Sequence, residues 1–405
     1  MDGWKFFVKE KSWLDIDVFM FLQNPKFVLI ILTAIGCVAL GVIGYAWADT
    51  ITTQESFESI SSTQQVSPLK LLEVKLQRRA RRPEKREVKG LYLTAYSASS
   101  PEKLKSIIDL IDRTELNAVV IDIKDYTGKI LYDSHLGLVN ELGTDENRLG
   151  DVRAIVNTLH EHDIYVIGRQ TVFQDPILAE KKSAWAIQDT AGGVWRDQKG
   201  LSWVDPTQEA VWRYNVAIAK EAIRFGFDEI NFDYVRFPTD GDMRRVVYTT
   251  GNRERVAVMR DFYHFLSTEL AFEPAWISLD FFGFVMERHD GMSIGQRLED
   301  AVDETDYISP MMYPSHYPNG HLGFDNPAEH PGAVIENGMQ KGLPWFASST
   351  RAQVRPWIQA FNIGAVYDDG PKIREQIDMV EKYTDAGWLL WNASNRYSSA
   401  GLKSL

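Results

Sequence analysis

From Phe27 to Trp47 the chain runs FVLIILTAIGCVALGVIGYAW without a charge. A helix rising about 1.5 Å per residue needs roughly 20 apolar residues to cross the hydrocarbon of a bilayer, so this run predicts one transmembrane helix. After Gly90 the pattern changes. Short β-branched and aromatic runs alternate with amphipathic stretches, which predicts a parallel sheet with crossover helices. The strand candidates are GLYLTAY (90–96), AVVIDIK (118–124), YVIGRQ (165–170), EINFDYV (229–235), WISLDFF (276–282), YISPMMY (307–313), RPWIQAF (355–361) and GWLLWNA (387–393). Helices are expected over 101–113 behind Ser100, from the Asp205-Pro206 cap to Phe225, over 253–270, over 293–303 and over 371–386.

These units define an α/β fold, a single (β/α)8 TIM barrel with enlarged loops. An open doubly wound sheet is the rival architecture, but no Gly-rich dinucleotide fingerprint follows the first strand; Gly90 precedes it instead. The expected organisation is a cytoplasmic segment (1–26), the transmembrane helix (27–47), a flexible linker and basic stalk (48–88) and the barrel (89–405). Lys5, Lys9, Lys11 and Lys26 flank the apolar run on its N-terminal side, and no Lys or Arg lies between Ala48 and Leu69. The positive-inside bias therefore places the N-terminus in the cytoplasm and the barrel outside. A cleaved signal peptide ending near Ala46-Trp47-Ala48 is the competing reading.

Within the strands, period-two alternation separates polar from apolar faces. Val120, Asp122 and Lys124 oppose Ile121 and Ile123; Asn231 and Asp233 oppose Ile230, Phe232 and Tyr234; Ser278 and Asp280 oppose Ile277 and Leu279; Arg355, Trp357 and Gln359 oppose Pro356, Ile358 and Ala360. The polar faces should point into the barrel. Asp122, Asp233 and Asp280 then converge where strands end, the face on which barrels of this kind assemble their chemistry.

The chain has 405 residues, 44% of them hydrophobic and 25% charged, with a formal charge of −12. The bulk after Lys89 holds 46 acidic and 31 basic side chains, so it should repel nucleic acid at long range. Cys37 is the single cysteine and lies in the apolar run, which excludes a thiol nucleophile, a disulfide or a cysteine-ligated zinc in the bulk. His160 and His162 form HEH on a polar helix end, no HExxH occurs, and neither a P-loop nor a G-x-S-x-G elbow is present. No metal and no cofactor is expected. Residues 70–89 hold nine basic side chains and read either as a solvated stalk broken at Pro83 or as a contact with anionic lipid or wall polymer.

Paired carboxylates cleave glycosidic bonds, one protonating the leaving oxygen while the other attacks the sugar or activates water. Asp233 is expected as nucleophile or base and Asp280 as acid, with the roles open to exchange. Asp122 is a third catalytic candidate, unless it only pairs with Lys124 or Arg169. Arg169 and Arg236 could keep a nucleophile ionised. Nine of the 12 Trp residues fall after Gly90, and Trp185, Trp195 and Trp203 sit in the long third loop. Flat apolar faces mixed with amides and hydroxyls suit a pyranose, so Asp125, Arg169, Asn231, Arg236, Tyr313, His316, Trp357, Gln359, Trp391 and Asn392 are candidate contacts for a carbohydrate polymer.

The runs KGLYLTAYSAS, VVIDIKDYTGKI, WVDP, EINFDYVRFPTDG, YISPMMYPSHY, RPWIQAF and GWLLWNASNRYS, in that order over about residues 88–398, resemble the bacterial family called the putative glycosyl hydrolase domain. The resemblance implies a TIM barrel and glycosidase activity. The phrase FDYVRFP is similar to one in other glycosidase-like barrels in which an aspartate ends the fourth strand, which implies a role for Asp233. The chain departs from the amylase-type pattern, with Asp280 in place of Glu on the fifth strand and Gln359 where a third carboxylate would stand. A non-catalytic glycan-binding barrel and a metal-dependent hydrolase are the alternatives to a membrane-anchored glycosidase.

Overall fold

A computed structural model describes residues 68–346 and 350–405. The expected transmembrane helix lies outside the described residues, among which no helix is long and apolar enough to cross a membrane.

Eight parallel strands close into a barrel: β1 (Val88–Leu93), β2 (Ala118–Lys124), β3 (Tyr165–Thr171), β4 (Glu229–Asp233), β5 (Trp276–Phe282), β6 (Tyr307–Met311), β7 (Trp357–Gln359) and β8 (Gly387–Trp391). Neighbours pair in sequence order, β8 pairs with β1, and closure between β6 and β7 rests on Met311 opposite Trp357. Every residue of β2 and β3 is buried, as expected of strands covered on both faces.

The alternation expected from the sequence sorts the core into two layers. Ile121, Ile123, Ile230, Phe232, Ile277, Leu279 and Ile358 pack outward against the helices. Val88, Tyr92, Ala118, Val120, Tyr165, Ile167, Trp357 and Leu389 cluster separately inside the barrel. Lys124 breaks the expectation. The register shifts between Asp122 and Lys124, and this bulge turns Lys124 out of the barrel onto Asp175 at 2.7 Å, with Thr171 O and Asn215 Oδ1 as further acceptors.

Most helices lie where amphipathic spacing put them. Ser100 caps Pro101–Ile111 by accepting from Lys103 N, and Gly226, at φ 112°, ends Glu209–Phe225 in the left-handed conformation that glycine adopts freely. The latter helix starts later than expected. Asp205 accepts instead from Thr207 N and from the Thr249 N–H and hydroxyl, so its carboxyl ties two loops and the helix begins at Glu209. No α-helix forms over 293–303. Met292 and Ser293 both take positive φ, and the segment between β5 and β6 holds the 3-10 turns Gly283–Met286, Gly291–Ser293 and Leu298–Asp300. Val152–Glu161, which carries the helix end expected at His160, and Pro331–Gly342, which was not expected, add to the outer layer.

The lower end of the barrel is plugged. Glu229, at the start of β4, pairs with the fully buried Arg355 and accepts from the Tyr165 hydroxyl at 3.1 Å. Below it lies the basic segment expected to be a flexible stalk. Pro68–Arg79 is an exposed helix, but its last turn and the residues after it are fixed to the barrel. Arg78 pairs with Glu273 at 2.5 Å, Arg82 donates to the carbonyls of Leu270, Ala271 and Glu273, and Arg82 and Lys85 lie 4.9 and 5.1 Å from the Trp276 ring. Arg86 reaches Asp163 at 3.1 Å. These cations face the barrel floor.

Candidate active site

Strands β2 to β5 each contribute one inward polar residue near their C-terminal ends, and the four meet. Arg169 of β3 is central. Its Nη1 donates to Asp122 Oδ1 at 2.6 Å, its Nη2 donates to Asp233 Oδ2, and its Nε lies 3.8 Å from Asp280 Oδ2. All four residues are at least nine-tenths buried. Burying three carboxyls together without a cation would be prohibitive, and one guanidinium, which offers five donors in a plane, serves them.

The three aspartates are not equivalent. Asp122 has both oxygens engaged, by Arg169 and by the Tyr92 hydroxyl at 2.5 Å, and does not line the cavity. It pairs with Arg169, one of the two partners the sequence offered it as the alternative to a catalytic role. Asp233 ends β4 and accepts from Arg169 and from the N–H of Tyr234, whose φ of 53° turns the chain sharply at that point. Asp280 Oδ1 accepts from Asn231 Nδ2 at 2.8 Å and from the Trp357 indole at 2.7 Å. Burial, and then the adjacent Asp233, push the Asp280 carboxyl well above the usual carboxylate range, against the opposing influence of Arg169, Asn231 and Trp357.

Asp233 and Asp280 open into a cavity of about 450 Å³ at the end of the barrel away from the basic segment. Arg169, Arg236, Tyr313, His316, Trp357 and Trp391 also line it, as the sequence led one to expect. Trp391 stacks on Tyr92 at 4.0 Å between centroids and meets Trp357 edge-on at 5.5 Å. Desolvation pushes His316 below its ordinary value. Asn231 acts from behind, through Asp280.

Besides Asn231, three further expected contacts do not reach the cavity. Asp125 accepts from Thr127 N at 2.9 Å and shapes a turn; Gln359 bonds Ser315 N, Phe361 O and Ile363 O; Asn392 bonds Ala360 O and Arg396 O. All three brace loops. Of the loop tryptophans, Trp195 and Trp203 are fully buried instead of rimming a cleft. The HEH histidines diverge, His160 to Asp228 and His162 to Asp112.

Cavity residues that sequence reasoning missed come from the irregular segments. Gln296 lies between the last two of the 3-10 turns, accepts from Phe282 N and donates to Val235 O and Asp280 O, linking the ends of β4 and β5. Phe282 carries straight on from β5 into the wall, followed by Phe284. Tyr317, which the sequence already pointed to in the MMYPSHY run, completes that side, its hydroxyl buried with no partner among the described residues. The aromatic density of SHY and FFGF was the available signal; Gln296 had none.

A closed parallel barrel with buried acids at its C-terminal mouth defines the class of TIM-barrel proteins with a hydrolase-like site. Residues 90–397 match the family described as the putative glycosyl hydrolase domain, and the chain belongs to that family. A hypothetical protein from Ruminiclostridium thermocellum ATCC 27405 is 39% identical, over 47% of this chain and 96% of its own, with a TM-score of 0.44. The PgaB (BpsB) glycoside hydrolase domain from Bordetella bronchiseptica is 14% identical, over 76% of this chain and 94% of its own, with a TM-score of 0.52, a likeness of fold. A search of curated proteins found no match.

Proposed function

We propose that the chain is a membrane-anchored glycoside hydrolase that cleaves an extracellular or cell-wall polysaccharide. One observation carries the reading. The Asp280 carboxyl is pushed well above the usual carboxylate range by burial and by Asp233 beside it, at the wall of a cavity lined by Trp357 and Trp391. A raised carboxyl value, which favours the protonated form, is what a general acid for the glycosidic oxygen requires.

In this mechanism the sugar packs on the indole faces of the cavity, and Asp280 gives its proton to the leaving oxygen. Asp233, oriented by Arg169 and by the Tyr234 N–H, attacks the anomeric carbon or activates water. Arg169 balances the negative charge that remains on Asp280 after transfer. The apolar run 27–47 would anchor the chain with its N-terminus in the cytoplasm and the barrel on the outer side.

The test is hydrolysis of a panel of cell-wall and capsular polysaccharides by the wild type, Asp233→Asn and Asp280→Asn. Each variant should lose at least about 10³-fold in turnover while keeping the wild-type circular dichroism spectrum. Full activity in both variants rejects the pair. Tight glycan binding by the wild type without turnover would replace the reading with that of a glycan-binding barrel.

A further inference from the structure

Arg236, which is part-buried, stands apart from the buried cations of the barrel. Arg169 and Arg355 each face a carboxylate, whereas among the described residues no carboxyl lies within ion-pair distance of Arg236. Its guanidinium is packed against rings: 4.9 Å from Trp203, 5.1 Å from Phe282 and 5.5 Å from Tyr234. Among the described residues its one hydrogen bond runs from Nη1 to the carbonyl of its chain neighbour Phe237, at 3.1 Å. The side chain forms part of the cavity wall together with Asp233 and Asp280.

Rings that hold a guanidinium by its flat faces leave its N–H edge free, and that edge matches the oxygens of a carboxylate or phosphate. Removal from water pushes Arg236 below its ordinary value, and Asp240, Asp233 and Asp197 offset this only in part from a distance. An anion in the cavity would supply the missing partner. Tyr317, which also lines the cavity, is 95% buried, and its hydroxyl has no partner among the described residues. Both groups have donor capacity that no acceptor among the described residues takes up.

We propose that Arg236 forms an anion-binding subsite that selects saccharides bearing a carboxylate or phosphate group next to the reacting sugar. The inference rests on the cavity being a saccharide site and deepens that reading by naming the substrate class. It gives the acidic barrel a local means of holding a ligand that its net charge repels, with association that improves as salt rises through the range where long-range repulsion is screened.

The test measures equilibrium binding, separately from turnover, by ligand-observed NMR on the full chain with glucuronic acid, glucose 6-phosphate and glucose as probes. At least one charged probe should bind about tenfold or more tighter than glucose, a ratio worth about 1.4 kcal/mol. Whichever charged probe binds tighter distinguishes a carboxylate from a phosphate ligand. Arg236→Gln should reduce the ratio to near unity, and Arg236→Lys, which keeps the charge but loses the planar edge, should leave an intermediate ratio. Equal binding of the three probes, binding of none, or a preference that persists in a folded Arg236→Gln protein would overturn the proposal. A selective wild type that hydrolyses no glycan would leave the subsite standing and remove the catalytic reading.

Discussion

Trp357 donates its indole N–H to Asp280 Oδ1 at 2.7 Å, spanning the barrel interior from β7 to β5. The bond links the proposed acid to the residue that closes the barrel against Met311. A donor to a carboxyl favours its ionised form, so Trp357 holds the Asp280 value lower than burial alone would set it. Trp357→Phe removes that influence. The general acid works only while protonated, and activity falls as pH rises through its value. In the variant the alkaline limb of the pH–rate profile should therefore move to higher pH, with a reduced maximum. A limb that stays in place, or moves down, argues against Asp280 as the acid.

Asp122 shares Arg169 with Asp233 but stands outside the cavity, its second oxygen occupied by Tyr92. Burial pushes its carboxyl up, and Arg169 and Tyr92 oppose that shift. Asp122→Asn keeps the shape while weakening the grip on Arg169. Turnover should fall by about tenfold to a hundredfold, the usual effect of removing a supporting partner, with KM little changed. A loss as large as that of Asp233→Asn would mean that Asp122 takes part in the chemistry directly.

Much of this site was legible because period-two alternation is a strong constraint: Asn231 and Asp233 could not face the core unless Ile230 and Phe232 faced the helices. The same logic placed Asp280 beside Ser278. It failed at Lys124, where a bulge inserted after Asp122 reversed the side, and nothing in AVVIDIK marks that shift. Pro331–Gly342 was missed for a different reason. Gly332, Gly338 and Gly342 dilute its helical pattern, yet Cβ atoms there would collide with Glu375, Met312 and Met286, so close packing and not intrinsic propensity dictates that helix. The residues of the basic segment looked solvated because their partners, such as Glu273 and Trp276, lie almost 200 positions away.

Arg82 offers a test of that segment's structural role. Its side chain is 6% exposed, donates to three carbonyls, lies over Trp276 and comes within 4.0 Å of Asp306. Arg82→Ala would strand those acceptors and uncover the indole, at a cost of about 2 kcal/mol. Urea denaturation should show the loss, while glycan hydrolysis per folded molecule stays at the wild-type level because the cavity opens at the other end. A change within about 0.5 kcal/mol would show that the segment is only loosely laid against the floor.

Asp280 should make the protein less stable than it could be, in a way that depends on pH. Its carboxyl is raised well above the ordinary value when folded, chiefly by burial. Such a group contributes its stability in full below the unfolded value, near pH 4, and that contribution is lost as pH rises through the folded value. Asn is uncharged at every pH, and its amide oxygen can still accept from Asn231 and Trp357. Asp280→Asn should therefore melt at a temperature close to wild type near pH 4 and increasingly above it toward neutral and alkaline pH, while being inactive. Thermal melts of both proteins from about pH 4 to about pH 9 give the comparison. A difference that stays constant with pH would mean that Asp280 keeps an ordinary value in the folded state, and the proton it is proposed to donate would then be absent at neutral pH. A stability gain coupled to loss of turnover instead identifies Asp280 as a group retained for chemistry at the expense of the fold.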